Sequence, residues 1–90
     1  MPKTITNLEY GKQLARSSGS VGANYIEANE AISKKDFAFR IKICKKESKE
    51  SRYWLNLVGC DENDKKELKS LIQESTELMK IFAAILAKTQ

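Results

Sequence analysis

The sequence contains no histidine and only two cysteines in 90 residues. Without histidine there is no general base for a histidine-based catalytic triad. Cys44 and Cys60 lack the spacing of metal ligands, so a structural zinc site is excluded as well. We therefore expect no metal and no cofactor, and we interpret both thiols as reduced, with a disulfide as the alternative.

Long apolar runs and a secretion signal are also missing. No apolar stretch approaches the roughly 18 residues that a membrane span needs, and no signal peptide begins the chain. The sequence therefore predicts a cytoplasmic protein that does not bind membranes. It shows no evident site for a small-molecule substrate.

Proline is scarce too, and the single proline is Pro2. An apolar share of 41% and a charged share of 31% are typical of one mostly helical globular domain, which we place at residues 1–90. A chain of this length buries only about 60–65% of its unfolded surface on folding. We expect its stability to be modest.

The formal net charge of +4 is concentrated in one segment. Residues 33–58 contain eight basic and three acidic side chains, whereas residues 1–32 are balanced and residues 59–90 carry a net charge of −1. The middle third of the chain is therefore the part that predicts an interaction surface.

The first of three predicted helices, about residues 8–32, is rich in small side chains. Larger apolar residues recur at helical spacing from Leu14 to Ile32, with serine, glycine and alanine between them. Each glycine costs about 1 kcal/mol relative to alanine inside a helix. We interpret the segment as a helix whose backbone closely approaches a neighbour. The alternative is a break near Gly19.

The second helix, about residues 34–58, has well-marked ends. Ser33 and Asp36 fit a capping box at its start, and Gly59 is placed to form its C-cap. A seam with alternating steps of four and three residues runs along it. The seam consists of Phe37, Ile41, Cys44, Ser48, Ser51, Leu55 and Val58.

The third helix, about residues 63–88, begins at a second capping-box match formed by Asp64 and Glu67. Its apolar residues fall on one face from Leu68 to Leu86. Short connections between long helices imply antiparallel neighbours. The predicted fold is therefore all-α, an antiparallel up-down helical bundle with three long helices.

The second helix has flanks of opposite character on the two sides of its seam. The basic flank consists of Lys35, Lys42, Lys45, Lys46, Lys49 and Arg52. The acidic and apolar flank consists of Asp36, Glu47 and Glu50 interleaved with Ile43, Trp54 and Leu57. Such segregation favours a heterologous contact between copies of the chain, which closes a ring when it is repeated about an axis.

In that hypothesis Trp54 anchors the oligomer interface, because tryptophan often dominates interface energetics. The remaining predicted interface residues are Ile43, Glu47, Glu50 and Leu57. The alternative is that Trp54 covers the core of its own bundle and that the lysines form a solvated face.

Polar residues inside the predicted bundle suggest a structural network rather than a site of chemistry. The predicted members are Arg16, Asn24, Glu27 and Arg40. Glu27 and Glu30 share a helix face, but no further ligand accompanies them, so we favour a buried hydrogen bond or salt bridge to Arg16 or Arg40 over a metal site. Such groups often fix the register of a bundle.

Five segments of the chain carry a family resemblance. They are LARSSGSVGANYIEANEA at 14–31, SKKDF at 33–37, RIKICKKESKES at 40–51, YWLNL at 53–57 and ELMKIFAAIL at 77–86. The S-x-G-A-N-x-x-E-A run at 20–28 is the most specific part. Together they resemble the small four-helix-bundle proteins encoded in intervening sequences of bacterial 23S rRNA genes.

This resemblance implies an α-helical, non-enzymatic protein that forms a ring, typically a homopentamer. A related bundle is the accessory protein of diversity-generating retroelements, which partners a reverse transcriptase and nucleic acid. In the family an additional helix precedes the segment that begins here near Leu8. We therefore expect the three helices to correspond to the last three of the family's four, in a natural short form or in a chain whose true start lies upstream.

Two function classes remain open from the sequence. One is a self-assembling scaffold whose homo-oligomer presents surfaces to other proteins. The other is a nucleic-acid-binding accessory protein, in which the basic flank contacts phosphates and Phe39 and Tyr53 stack on bases. An enzymatic activity is not expected.

Overall fold

The computed structural model describes residues 4–59 and 61–89, and in these residues all regular structure is helical. Helix α1 spans Ile5–Asn29, α2 spans Lys34–Leu57, and α3 spans Lys65–Thr89 after a 3₁₀ turn at Glu62–Asp64. The three helices pack together as a bundle. The predicted all-α fold with three long helices is confirmed.

Helix α1 begins and ends three residues earlier than its apolar pattern predicted. The hydroxyl of Thr4 accepts a hydrogen bond from the backbone N–H of Asn7 at 3.0 Å, which caps the first turn. The helix continues unbroken through Gly19, so the alternative of two shorter helices is wrong. At the other end Ile32 lies beyond the helix and is 98% exposed.

The small residues of α1 do not serve a close contact within the chain at both glycines that were examined for space. A Cβ atom built on Gly19 or Gly22 would meet no atom within 4 Å. The prediction that small residues let a neighbouring backbone approach is therefore not fulfilled by α2 or α3 at these two positions.

Helix α2 is the central helix of the bundle and begins where its capping residue predicted. The hydroxyl of Ser33 accepts from the backbone N–H of Asp36 at 3.0 Å. The middle of the predicted seam is buried, from Ile41 to Leu55. The core cluster of the bundle consists of Ala28, Ile41, Cys44, Phe82 and Leu86.

Cys44 is fully buried in this core, as the seam predicted, and burial raises the pKa of its thiol. The protonated thiol donates to the carbonyl of Val21 at 3.5 Å. Cys60, which was predicted to lie in a loop, falls outside the described residues.

Gly59 does not form the C-cap that the sequence predicted. Helix α2 ends at Leu57, its cap is Val58 in an extended conformation, and no glycine in the described chain has a positive φ. Gly59 instead holds α1: its N–H donates to Asn7 Oδ1 at 3.0 Å, and its carbonyl accepts from Asn7 Nδ2 at 3.3 Å. Asn7 is a buried residue that the sequence analysis did not identify.

Successive helices run antiparallel. The start of α1 meets the end of α2 at Asn7 and Gly59, whereas Asn24, near the end of α1, bonds to Arg40, near the start of α2. Likewise Ile41, near the start of α2, packs with Leu86, near the end of α3. Helices α1 and α3 are therefore parallel to each other.

Helices α1 and α3 both pack on α2, but they stay apart from each other. Within the described residues no Cα atom of α1 lies within 8 Å of a Cα atom of α3. The rings of Tyr25 and Phe82, with centroids 6.4 Å apart, bridge the two helices at one end. The molecule measures 45 × 21 × 15 Å, and a groove lies open between its outer helices.

Candidate functional site

The predicted interface of α2 packs in part against the protein's own first helix. The indole ring of Trp54 is half-buried, 5.9 Å from the ring of Tyr10 on α1 and 5.0 Å from that of Tyr53. Its Nε1–H donates to Glu50 Oε1 at 3.3 Å. We call the outer surface formed by Ile43, Glu47, Glu50, Trp54 and Leu57 the Trp54 face.

Both glutamates of the Trp54 face are bound by one arginine of α1. Arg16 Nη1 lies 2.9 Å from Glu47 Oε2, and Arg16 Nη2 pairs with Glu50 Oε1. The side chain of Glu47 is 7% exposed, so its charge faces the bundle rather than solvent. A lysine of another subunit would have to compete with Arg16 for these carboxylates, and the predicted contact between flanks stays a prediction.

The electrostatics of this cluster follow from its hydrogen bonds. Bonds from Arg16 to Glu47 and then to Glu50 raise the pKa of the guanidinium. The indole N–H of Trp54, followed by the Arg16 guanidinium, lowers the pKa of Glu50. Both interactions favour the charged forms, so the cluster is ionised at neutral pH.

The remaining two members of the Trp54 face are accessible apolar side chains. Ile43 is half-buried, and Leu57 is 39% exposed. They leave an apolar patch beside the indole ring, although the ring itself contributes to the packing of α1 on α2. The alternative interpretation of Trp54 as a cover for its own bundle thus describes one side of its ring.

The predicted polar network divides into two separate pairs of elements. Arg40 Nη1 donates to Asn24 Oδ1 at 3.0 Å, and Asn24 in turn donates to the carbonyl of Ser20 at 2.9 Å. Arg16 belongs instead to the glutamates of α2. Glu27 lies exposed, so the expected buried bond from Glu27 to Arg16 or Arg40 is wrong.

Four lysines of the basic flank line one groove between α2 and α3. Lys42, Lys45, Lys46 and Lys49 are all exposed, and the groove they form has a volume of about 590 Å³. Its α3 side is formed by Ala83, Leu86 and Ala87. We call it the lysine groove. In the described part of the chain, none of these four lysines is held in an ion pair.

The other predicted nucleic-acid contacts lie outside the lysine groove. Lys35 is exposed near the start of α2, and Arg52 is half-buried, with Nη1 donating to Thr76 Oγ1 at 3.4 Å. Phe39 and Tyr53 are 56% and 58% exposed and are therefore accessible to bases. The basic flank thus contains a compact group of four lysines and two outlying cations.

A third surface, which the site predictions did not include, is the groove between α1 and α3. We call it the open groove. Its volume is about 290 Å³, and it continues past Leu55 toward Leu68 for about another 270 Å³. Its principal lining residues are Leu14 and Val21 of α1, Ser48 and Leu55 of α2, and Leu71 and Leu78 of α3. The spacing of Leu71 and Leu78, seven residues apart, is the signal that pointed to it.

Sites for other chemistry were sought in the same coordinates. Across residues 4–59 and 61–89, no three Cys, Asp or Glu side chains converge as a metal site requires. None of the described helices combines the length and apolarity of a membrane-crossing segment. The surfaces that stand out are therefore the Trp54 face, the lysine groove and the open groove.

Comparison with known proteins gives two findings. The sequence model of a family described as 23S rRNA-intervening sequence protein matches residues 1–84. The fold is similar to a crystal structure, at 1.70 Å resolution, of a protein of unknown function from the S23 ribosomal protein family of Bacteroides thetaiotaomicron VPI-5482. The TM-score is 0.76 at 33% sequence identity, over 87% of this chain and 70% of the other. No curated protein matches the sequence.

Proposed function

The chain belongs to the family of 23S rRNA-intervening sequence proteins, and on that basis we propose that it is a non-enzymatic scaffold that assembles with copies of itself. The observation that supports this most directly is the amount of surface it leaves uncovered. Its accessible surface is 6361 Å². A compact monomer of 10.2 kDa exposes about 5,300 Å².

Much of the uncovered surface is apolar. Leu8, Ile26, Leu71 and Ile81 are each between 42% and 62% exposed although they lie within helices. Large contiguous apolar surfaces on a small domain mark sites of association. A homo-oligomer, with the ring-shaped pentamer implied by the family resemblance as its expected form and the cytoplasm as its expected location, would remove these side chains from water.

The test is the mass of the protein in solution. Multi-angle light scattering and sedimentation equilibrium at 1–100 micromolar, roughly the range in which weak assemblies form, should give a multiple of the 10.2 kDa chain mass. A mass of one chain at every concentration would overturn the scaffold proposal. A fivefold mass would support the pentamer, and a smaller multiple would support self-association with a different subunit count.

A second candidate function, nucleic-acid binding, rests on the lysine groove. Four lysines without acidic partners line one surface, which is the arrangement that attracts a phosphate backbone. If all four contact phosphates of single-stranded RNA, the logarithm of the binding constant should fall with the logarithm of salt concentration with a slope of about −3.

The variant Lys45→Gln/Lys49→Gln tests that candidate. Removing two phosphate contacts should weaken RNA binding and reduce the salt slope by about 1.4. The matched control is Lys66→Gln/Lys69→Gln, which removes the same charge from exposed lysines of α3. Equal losses in both variants would mean that only net charge matters, and salt-insensitive binding would exclude the lysine groove as a phosphate site.

A further inference from the structure

The open groove has the form of an unoccupied helix position. Three stripes of residues border it, one from each helix, and each follows the steps of three and four that helix packing requires. The stripes are Leu14, Ser18 and Val21 on α1, Ser48, Ser51 and Leu55 on α2, and Leu71, Glu74 and Leu78 on α3. With α1 and α3 held apart on α2, the arrangement is a four-helix bundle that has three of its helices.

We propose that α3 of a second copy of this chain occupies the open groove, in a two-fold symmetric pair. This inference rests on the proposed self-association and assigns it a surface. In the pair, each α3 lies between the α1 and α3 helices of the other copy. Two four-helix units then share one edge, along which the two α3 helices contact each other.

The exposed side of α3 has the shape that the open groove accepts. Leu71, Leu78 and Ile81 are 42%, 40% and 53% exposed, and with Ile85 they form a stripe at steps of seven, three and four residues. Such a stripe is a ridge that packs into the groove of a neighbouring helix pair. Because each copy carries both the ridge and the groove, one contact satisfies both, as an isologous interface does.

The area of uncovered surface fits a partner of this size. The chain exposes about 1,000 Å² more than a compact protein of its mass. A standard interface buries about 800 Å² on each partner. Docking of one helix face along the open groove accounts for an excess of that magnitude.

The polarity of the groove favours an apolar helix over a charged partner. Glu74, which is exposed, is the single charged residue lining this stretch. At the base lies Ser48, whose residue is 1% exposed and whose Oγ has no hydrogen-bond partner in the described chain. A buried hydroxyl without a partner costs free energy, and a helix from a second copy brings polar atoms within its reach.

The wall on α1 permits a close approach. Ser18 lines the groove, and Gly22, one turn further along the same face, has no atom within 4 Å of the place where a Cβ would lie. Small residues let a helix axis come nearer than leucines would allow. The glycine that no contact within the chain explains is thus adjacent to the proposed partner helix.

Leu78→Lys is the principal test, and Leu57→Lys is its matched control. The two leucines are 40% and 39% exposed, so the same substitution perturbs the fold to the same small degree. Leu78 lies on the ridge and in the open groove, whereas Leu57 lies on the Trp54 face. Sedimentation equilibrium should show that Leu78→Lys raises the dissociation constant by about tenfold or more, and that Leu57→Lys changes it less than about threefold.

The outcomes separate this inference from the proposed function. If Leu57→Lys dissociates the assembly and Leu78→Lys does not, the open groove is not the interface although the chain still self-associates. If wild type is a monomer at every concentration, both proposals are overturned. Helical content and thermal unfolding of each variant, measured by circular dichroism, show whether the comparison is between folded proteins.

Two further measurements keep the test decisive if Leu78→Lys does not fold. Ser18→Arg places a large charged side chain on the α1 wall from an exposed position and should weaken association to a similar extent. The single tryptophan, Trp54, reports independently. Its emission should stay constant as dilution separates the copies, whereas a red shift on dissociation would place the interface on the Trp54 face and overturn the inference.

Discussion

Asn7 and Gly59 form a two-point hydrogen-bonded pair, 52 residues apart in the sequence, in which both ends of one carboxamide meet both polar groups of one backbone residue. The pair joins the first turn of α1 to the chain just after α2. It also explains why a glycine follows α2 without acting as its C-cap. A Cβ on Gly59 would lie 3.2 Å from Asn7 Nδ2.

We expect Asn7→Ala to lower the free energy of unfolding by about 1–3 kcal/mol, because two hydrogen bonds are lost at a buried position. Urea denaturation followed by circular dichroism measures the change. The control is Asn56→Ala, which removes an exposed amide bonded only within its own helix and should change stability by less than about 0.5 kcal/mol. Equal losses for the two variants would contradict the tethering role of Asn7.

Gly19→Ala should raise the free energy of unfolding by about 1 kcal/mol. The gain comes from the helix propensity of alanine, and nothing in the chain obstructs the new Cβ. Gly59→Ala is the comparison, because there the new Cβ crowds the Asn7 carboxamide. Thermal unfolding of both variants at one protein concentration tests this, and a Gly19→Ala protein that melts below wild type would mean that another chain approaches that side of α1.

Acid should destabilise the protein through Glu50. Its pKa is lowered in the folded state from an ordinary value of 4.5 by the Trp54 indole first and by Arg16 second. The stabilisation is therefore complete above about pH 4.5 and is lost as pH falls through the lower folded-state value. Melting temperatures between pH 7 and pH 2.5 should remain level and then decline below that point.

Trp54→Phe provides the check on this assignment. Phenylalanine keeps the ring beside Tyr10 but cannot donate to Glu50, so part of the acid-dependent loss should disappear. Comparison of the slope of melting temperature against pH below 4.5 distinguishes the two proteins. Parallel curves would show that the indole does not control the titration of Glu50.

The neighbouring serines Ser48 and Ser51 should respond oppositely to replacement by alanine. Ser51 Oγ lies 2.9 Å from Ser17 Oγ between α1 and α2, so Ser51→Ala should cost about 1 kcal/mol of unfolding free energy. Ser48→Ala removes a buried hydroxyl that has no partner in the described chain and should leave the monomer unchanged or slightly more stable. Denaturation at low protein concentration compares them, and a loss at Ser48 as large as that at Ser51 would contradict the expectation.

Local signals predicted the elements of this fold well. Ser33 caps α2, the alternating seam of α2 is buried, and Cys44 lies in the core, because each feature depends on residues close together in sequence. The ends of α1 were displaced by three residues because Thr4 provides a cap that outweighs the apolar pattern. Gly59 was misread because its role depends on Asn7, at the other end of a helix pair.

The contacts between helices were predicted less well, for a geometric reason. Periodicity shows that Glu47 and Glu50 share one side of α2, but it does not show the side from which α1 approaches. In the structure α1 brings Arg16 to that side, so carboxylates expected to face another subunit are paired within the chain. Glu27, expected to be buried, faces solvent for the same reason.

The central position of α2 has a consequence for how the chain folds. Helices α1 and α3 each pack on a helix that adjoins them in sequence, and the packing of either one requires little of the other. The average sequence separation of contacting residues is therefore low, which is typical of helical proteins that fold in microseconds to milliseconds. The α1–α2 hairpin and the α2–α3 hairpin can form as alternative first intermediates, so folding should proceed by parallel routes.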